Sequence, residues 1–375
     1  MNDRAAAPAG GVRRLVVKVG SSILTDAAGR PDRGRIRQLA EQLARCVDDG
    51  REVVLVSSGA IACGMGRLGF ARRPKALAEL QACAAVGQGE LMHLYGEIFN
   101  DHRQTVAQVL LTQADLADRG RCRNAKHTLL ALLKQRVVPI VNENDVVAVE
   151  EIAFGDNDRL AALVACLVEA QLLVILSDVD GLLHNGEVVG RIDRLERAHH
   201  AMAMGSSKET TTGGMASKLA AARIAQQGGI PMVIANGSRA GVLQQILSGQ
   251  PVGTLISPPT VRLAFRKWWI AFSTRSPRGA VVVDDGAAQA VAGRGKSLLP
   301  SGIAEVRGRF EAGDPIAIVG RDNREIARGL SNFSSSELAR IRGLKSREIL
   351  TVLGSGAAEE AIHRNNLVLA DHFEG

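Results

Sequence analysis

Val137-Val-Pro-Ile-Val141 runs straight into Asn142-Glu-Asn-Asp145, and about ten residues later Gly155-Asp-Asn-Asp158 repeats the same mixture of acids and amides. The apolar run reads as a buried strand, which puts its polar tail at the strand's carboxyl end. In open α/β sheets ligands bind at that edge. Polar residues so dense beside a core strand pack poorly, yet they suit a small, charged, hydrogen-bonding ligand. One stretch thus predicts both a sheet and a site, and with them an enzyme.

On either side of it, apolar runs alternate with amphipathic segments. Residues 15–19, 53–56, 106–111, 137–141, 172–176 and 232–235 read as buried strands, and residues 36–47, 77–99, 125–135 and 215–227 carry helical periodicity. That alternation implies βαβ units, hence an α/β fold whose mostly parallel sheet is sandwiched by helices. Residues 143–154 lack helical periodicity and read as a small hairpin leading into the second acid cluster. The pattern changes at Leu255-Ile-Ser-Pro-Pro-Thr260, where a double proline interrupts helix and sheet alike. Short runs at 280–283, 303–306 and 316–319, separated by Gly, Asp and Pro, predict a small all-β module. The expected division is a domain at 12–257, a linker at 258–278 and the module at 279–364.

Composition agrees. A chain of 375 residues can hold two domains with separate cores, and with aromatics at 3% those cores must be built from Ala, Val, Leu and Ile. Charge is uneven. Between Val261 and Arg347 sixteen Lys and Arg stand against eight Asp and Glu, a surplus of eight, while the whole chain carries +7. The apolar stretch at 163–176 is broken by Glu169 and Gln171 and falls short of the roughly 18 residues a membrane span needs. Residues 1–14 lack the apolar core of a secretion signal. Cys46, Cys63, Cys83, Cys122 and Cys166 have no metal-like spacing and read as reduced thiols. A cytoplasmic protein with no protein-held metal cluster is expected.

Three glycine-rich segments say which chemistry. Lys18 ends the first strand in Val17-Lys-Val-Gly-Ser-Ser22, where its ammonium can stand beside a phosphate cradled by backbone N–H groups. A surface lysine at a strand end is the plain alternative. The second strand ends in Ser57-Ser-Gly-Ala60, a small turn that serves a ligand loop or a helix start equally well. In Thr210-Thr-Thr-Gly-Gly-Met-Ala-Ser-Lys218 a Thr/Gly run opens a helix with its lysine in the first turn, so dipole, N–H groups and ammonium converge. No Walker A loop exists. The nearest miss, Ala290-Val-Ala-Gly-Arg-Gly-Lys-Ser297, reads as a basic loop in the module. Two lysines from separate loops beside an acid-rich edge match phosphoryl transfer, in which catalysis is mostly positioning and cationic stabilisation. Ser177-Asp178, ending another strand, could contact nucleotide or metal, or simply cap a turn. His93, His102 and His127 lie in expected helices and read as structural or solvated.

Taken in order, the Lys18, Ser58, Asn142–Asp145, Gly155–Asp158 and Thr212–Lys218 motifs resemble the glutamate 5-kinase branch of the amino-acid kinase family. Residues 279–364 resemble the PUA domain that many bacterial members carry. Together they cover nearly the whole chain. The resemblance implies ATP-dependent phosphorylation, with Mg²⁺, of the side-chain carboxylate of L-glutamate to L-glutamyl 5-phosphate, the opening step of proline biosynthesis. By the same resemblance Lys18 and Lys218 would contact the ATP phosphates and stabilise the transferred group, and Asp158 would hold both lysines. Ser58, Asp145 and Asn157 would bind glutamate, with Asp156 close by. Ser177, Asp178, Thr212, Gly213, Gly214, Met215, Ala216, Ser217 and Lys218 would line the nucleotide site. Ser57 and Ser177 stand where the family more often has Thr, and both keep the hydroxyl. The family commonly forms dimers or tetramers, for which residues 77–99 are a candidate contact, and because the acyl phosphate is labile in water a glutamyl phosphate reductase is expected as a partner that takes it up.

Three other readings compete: an amino-acid kinase acting on acetylglutamate, aspartate, carbamate or a nucleoside monophosphate; an RNA-binding protein; and a catalytically silent regulator. The Asn-Glu-Asn-Asp cluster and the C-terminal module favour glutamate. For RNA, Arg307, Arg309, Arg321, Arg324 and Arg328 have the right charge sign, but Phe310 and Phe333 are few for base stacking. Intact lysines and acids in every motif argue against a silent protein.

Overall fold

The computed structural model describes residues 11–26, 30–148, 157–196, 198–199, 201–202, 214–259, 262–273, 277–354 and 358–373. Contacts divide the chain into two compact units, Met1–Arg262 and Leu263–Gly375.

The first unit is built on strands β1 (Arg14–Val19), β2 (Glu52–Ser57), β3 (Val106–Leu111), β4 (Val138–Glu143), β5 (Leu172–Ser177), β6 (Arg191–Ile192), β7 (Met232–Asn236) and β8 (Thr254–Ile256). They form one sheet in the order β3-β4-β2-β1-β5-β7-β8-β6. All neighbours run parallel except β7 and β8. The central strands are Val, Leu and Ile on both faces, as a sheet covered by helices requires, and β5 is buried at every residue. From β1 the chain moves out to β2 and then to the edge strand β3, fills the place between them with β4, and crosses to the far side of β1 as β5. Ligand crevices form at such a reversal.

Helices α1 (Ser21–Leu24), α2 (Arg33–Asp48), α3 (Ala60–Leu68), α4 (Leu77–Asp101), α5 (Gln113–Ala117), α6 (Arg119–Lys134), α7 (Asn157–Leu167), α8 (Met215–Gln227) and α9 (Val242–Leu247) complete the unit. Local chemistry sets several starts. Asp32 caps α2 through the Arg35 N–H, and Thr112 and Asp115 form a reciprocal capping box on α5. Helices α3 and α4 approach backbone to backbone: a Cβ on Gly64 would collide with the Cys83 carbonyl, and one on Gly87 with the Ala60 carbonyl. That contact ties the turn after β2 to the long helix α4. Among the described residues no helix is long and apolar enough to cross a membrane, and none of the five cysteines forms a disulfide; all are buried.

In the second unit, β9 (Gly279–Val283), β10 (Ile303–Gly308), β11 (Pro315–Val319), β12 (Glu325–Leu330) and β13 (Leu367–Leu369) pair in the order β10-β9-β11-β12-β13. Helices α10 (Phe265–Phe272), α11 (Asp285–Arg294), α12 (Ser335–Ile341) and α13 (Ser346–Leu353) accompany them. The expected β module therefore carries helices that the short, Gly-broken sequence pattern did not announce. Residues 258–278 were expected as a linker, yet they contain α10, whose Trp268 and Trp269 are buried. The Ala290–Ser297 stretch expected as a loop is half helix: α11 continues to Arg294 and ends at Gly295 in the left-handed conformation.

Strand β4 extends two residues past the expected end, so Asn142 and Glu143 belong to the strand itself. Residues 144–148 form a turn. The rest of the expected hairpin, 149–154, lies outside the described residues.

Candidate active site

The carboxyl ends of β4, β2, β1 and β5 open onto one cleft of about 320 Å³. Lys18 pairs with Val56 on one side and Ile175 on the other, so it stands at the middle of this edge. Ser58 follows β2, Asp145 follows β4, Ser177 ends β5 and Asp178 follows it; all line the cleft, together with Asn157 and Lys218.

The charge cluster at its base is buried. Lys18 is 5% exposed, Lys218 4% and Asp158 1%. Lys18 Nζ lies 2.6 Å from Asp158 Oδ1, and Lys218 Nζ lies 3.4 Å from Asp158 Oδ2. Burial works to raise the Asp158 pKa, but the two ammonium groups hold it below the ordinary carboxylate range. Burial also draws Lys218 below the usual lysine range, against the opposing pull of Asp158. Two ammonium groups facing one carboxylate give this cluster the positive sign that an anion site needs.

Two helix termini add to that field. Asp158 and Lys218 meet in the first turns of α7 and α8, while Cys166 Sγ donates to the Ile224 carbonyl near their ends, so the helices run side by side in the same direction. Their positive ends therefore both face the cleft. Among the described residues no side chain caps α3 at Gly59, and Gly59, Ala60 and Ile61 line the cleft, so the start of α3 borders it. Gly59 has φ of 104°, a conformation that needs glycine, and the turn it makes delivers Ser58 to the cleft.

A chain of amides forms the neighbouring wall. Asn157 Nδ2 donates to Ser58 Oγ at 2.9 Å and to Asn142 Oδ1 at 3.0 Å. Asn142 Nδ2 donates to Gln88 Oε1 at 2.9 Å. Beneath them Ser57 and Tyr95 share a hydrogen bond of 2.9 Å. Burial pushes the Asp145 carboxyl up to about 6, with the Arg73 guanidinium pulling the other way.

Of the residues expected from sequence, the structure brings together Lys18, Ser58, Asp145, Asn157, Asp158, Ser177, Asp178 and Lys218. Ser177 donates to Asp178 Oδ1 at 3.0 Å, and Ser217 donates to Asp158 Oδ2 at 3.3 Å. Gly214, Met215 and Ala216 start α8 without lining the cleft. Asp156, Thr212 and Gly213 lie outside the described residues. Sequence reasoning missed Arg73, Gln88 and Tyr95. A signal existed for two of them: Gln88 interrupts the apolar stripe of α4 formed by Leu80, Ala84 and Leu91, and Tyr95 is the chain's one tyrosine. Arg73 sits in an irregular segment and has no such marker.

The other features recede. His93, His102 and His127 do not line the cleft. Phe310 and Phe333 are core residues of the second unit, not stacking platforms. Arg307 bonds Glu305 and Asn323, and Arg328 is held by Glu325, the Ala271 carbonyl and the Phe373 ring. A larger hollow of about 700 Å³ lies in the second unit beside Lys296 and Arg364. Its Asp284 is committed to capping α11 through the Ala287 N–H, and volume alone does not make it a reaction site.

Similarity to known proteins follows the same division. The amino acid kinase family model matches residues 13–236 and the PUA domain model residues 279–353. Glutamate 5-kinase of Moorella thermoacetica is 48% identical over 364 residues, 95% of this chain and 96% of its own. That of Carboxydothermus hydrogenoformans is 50% identical over 372 residues, covering 96% and 98%. Every residue lining the cleft lies within the matched 13–236 segment, and a match of that extent means that the chain belongs to the amino acid kinase family.

Proposed function

We propose that the protein transfers the γ-phosphoryl group of ATP to the side-chain carboxylate of L-glutamate, giving L-glutamyl 5-phosphate and ADP and so opening proline biosynthesis. The observation that carries this reading is the buried Lys18–Asp158–Lys218 cluster beside an acid-and-amide wall. The lysines face the phosphates and the charge that spreads over the transferred group, while Asp158 keeps them apart and aimed. The acceptor carboxylate is already ionised near neutral pH, so no base has to activate it. Mg²⁺ fits as an ion carried by the nucleotide: Asp178, exposed at the cleft and close enough to Lys218 to influence its charge, would take one position. Such an ion keeps its waters and takes most other ligands from phosphates.

At the amino-acid end, Asp145 would hold the α-ammonium group and Arg73 the α-carboxylate, since Lys18 and Lys218 are committed to Asp158 and the phosphates. Asp145→Ala and Arg73→Ala should each raise the glutamate KM roughly tenfold or more, with the ATP KM little changed. Unaltered glutamate saturation in either variant removes that residue from the subsite. Asp145 binds the ammonium as a carboxylate. With its pKa near 6, glutamate affinity should hold above that pH and weaken as pH falls through it, and a flat KM–pH profile would contradict the role.

The activity is tested by incubating the protein with ATP, Mg²⁺ and hydroxylamine, offering glutamate, aspartate and N-acetylglutamate separately. Hydroxamate formed with glutamate alone supports the reading. Product from another acid moves the specificity, and none from any of them removes the reaction. Because the acyl phosphate is labile in water, a glutamyl phosphate reductase is the partner we place downstream, and a coupled assay faster than free mixing of the product would support their contact. The outward face of α4, with Ala82, Ala85 and Val86 exposed, is our candidate contact between copies in a homo-oligomer; a monomer in sedimentation would exclude it.

A further inference from the structure

Gln88 lies in the buried stripe of α4, 8% exposed, and nothing about phosphoryl transfer calls for an amide there. Its bonds explain it. The Glu143 backbone N–H donates to Asn142 Oδ1 at 2.9 Å. A backbone N–H can only donate, so it fixes which end of the Asn142 amide is oxygen. The Asn142 nitrogen then faces Gln88, which turns Oε1 toward it at 2.9 Å. The same Asn142 oxygen takes a donor from Asn157, so Asn157 Nδ2 must point inward, where it also reaches Ser58 Oγ. Two atoms of this amide chain remain without a hydrogen-bond partner among the described residues, Gln88 Nε2 and Asn157 Oδ1, and the second is a buried acceptor on a side chain that lines the cleft.

Resting on the amino-acid kinase reading above, we propose that Gln88 is a positioning residue for the substrate subsite. By accepting from Asn142 it locks the amide chain in the orientation that leaves Asn157 Oδ1 to accept from the substrate's α-ammonium group. Without that lock the Asn142 nitrogen is a buried donor with no acceptor. If the amide turns over, it gives up the Glu143 bond and its nitrogen finds an acceptor only by drawing Asn157 Oδ1 inward. The cleft would then offer an N–H to a group that has only N–H to give.

A subsite whose acceptors, Asp145 and Asn157 Oδ1, both await the α-ammonium group rejects an analogue that lacks it, and a reversed Asn157 weakens that rejection. The test therefore compares glutamate with glutarate, which is glutamate without its amino group, in the hydroxamate assay. Gln88→Leu should raise the glutamate KM roughly tenfold, leave the ATP KM in place and shrink the preference for glutamate over glutarate by a similar factor. Gln88→Glu keeps an acceptor oxygen and should recover most of both. Gln88→Met serves if the leucine variant does not fold. Unchanged glutamate KM and selectivity in the apolar variant would overturn the proposal. So would Gln88→Glu as impaired as the apolar substitution, because packing rather than the acceptor would then be what matters. The parent protein runs in the same series: if it uses a different amino acid, the proposed substrate is wrong, and the relay is tested on that amino acid and its deaminated analogue.

Discussion

Lys218→Ala should lower kcat by roughly a hundred- to a thousandfold, the scale seen when one preorganised donor to a developing charge is removed, and change the glutamate KM little. The lysine is 4% exposed, stands 3.4 Å from Asp158 and starts a helix whose dipole points the same way. In the proposed reaction its charge would be needed most when negative charge spreads over the transferred phosphoryl, so the loss belongs in kcat rather than in ground-state binding. Stability should behave in the opposite sense. With Lys218 gone, Lys18 and Asp158 form a balanced pair and the repulsion between two buried ammonium groups disappears, so the variant should melt within a few degrees of the parent. The pH profile carries a second check. Burial lowers the Lys218 pKa, so the protonated form that works in catalysis is lost as pH rises through a value below the ordinary lysine range. The alkaline limb of kcat should begin there and vanish in the variant. An unchanged kcat would take Lys218 out of the mechanism.

How far the sequence reached depends on where each signal resides. Central strands were legible because a parallel strand buried on both faces must be a continuous apolar run, and Leu172–Ser177 is one. Helix α7 was not, for the same reason turned around. From Leu160 to Leu167 every residue is buried, so no polar face marks the period of 3.6, and the segment looks like any apolar stretch. Candidates that depend on charge type and turn context, such as Lys18 and Lys218, could be singled out in the sequence, and both line the cleft. The contact between them was not: Asp158 joins two lysines 140 and 60 residues away, and only the fold says that one carboxylate serves both. Gln88 lay deeper still, since a single polar residue on a core stripe means little until its partner Asn142 arrives from β4.

Asp158→Asn tests that shared carboxylate. The substitution keeps the shape and removes the charge, leaving Lys18 and Lys218 facing each other inside the protein. Breaking a buried ion pair in this way costs roughly 3–5 kcal/mol, which for a unit of this size lowers the melting temperature on the order of 10 °C. The loss should depend on pH in a defined direction. The folded pKa of Asp158 is depressed below its unfolded value, so its contribution is fully present above the ordinary carboxylate pKa of about 4 and is lost as pH falls from there through the folded value. The stability gap between parent and variant should therefore be constant near neutral pH and close in acid below about pH 4. Activity separates a positioning carboxylate from a merely stabilising one. If Asp158 holds the two ammonium groups apart and aimed, the asparagine variant should lose kcat severely even at temperatures where it is fully folded. A variant that melts early yet turns over normally when cool would show that the lysines find their places without it. Because Asp158 touches both lysines and Ser217 but does not itself line the cleft, that outcome would also break the physical link drawn between burial of the cluster and phosphoryl transfer.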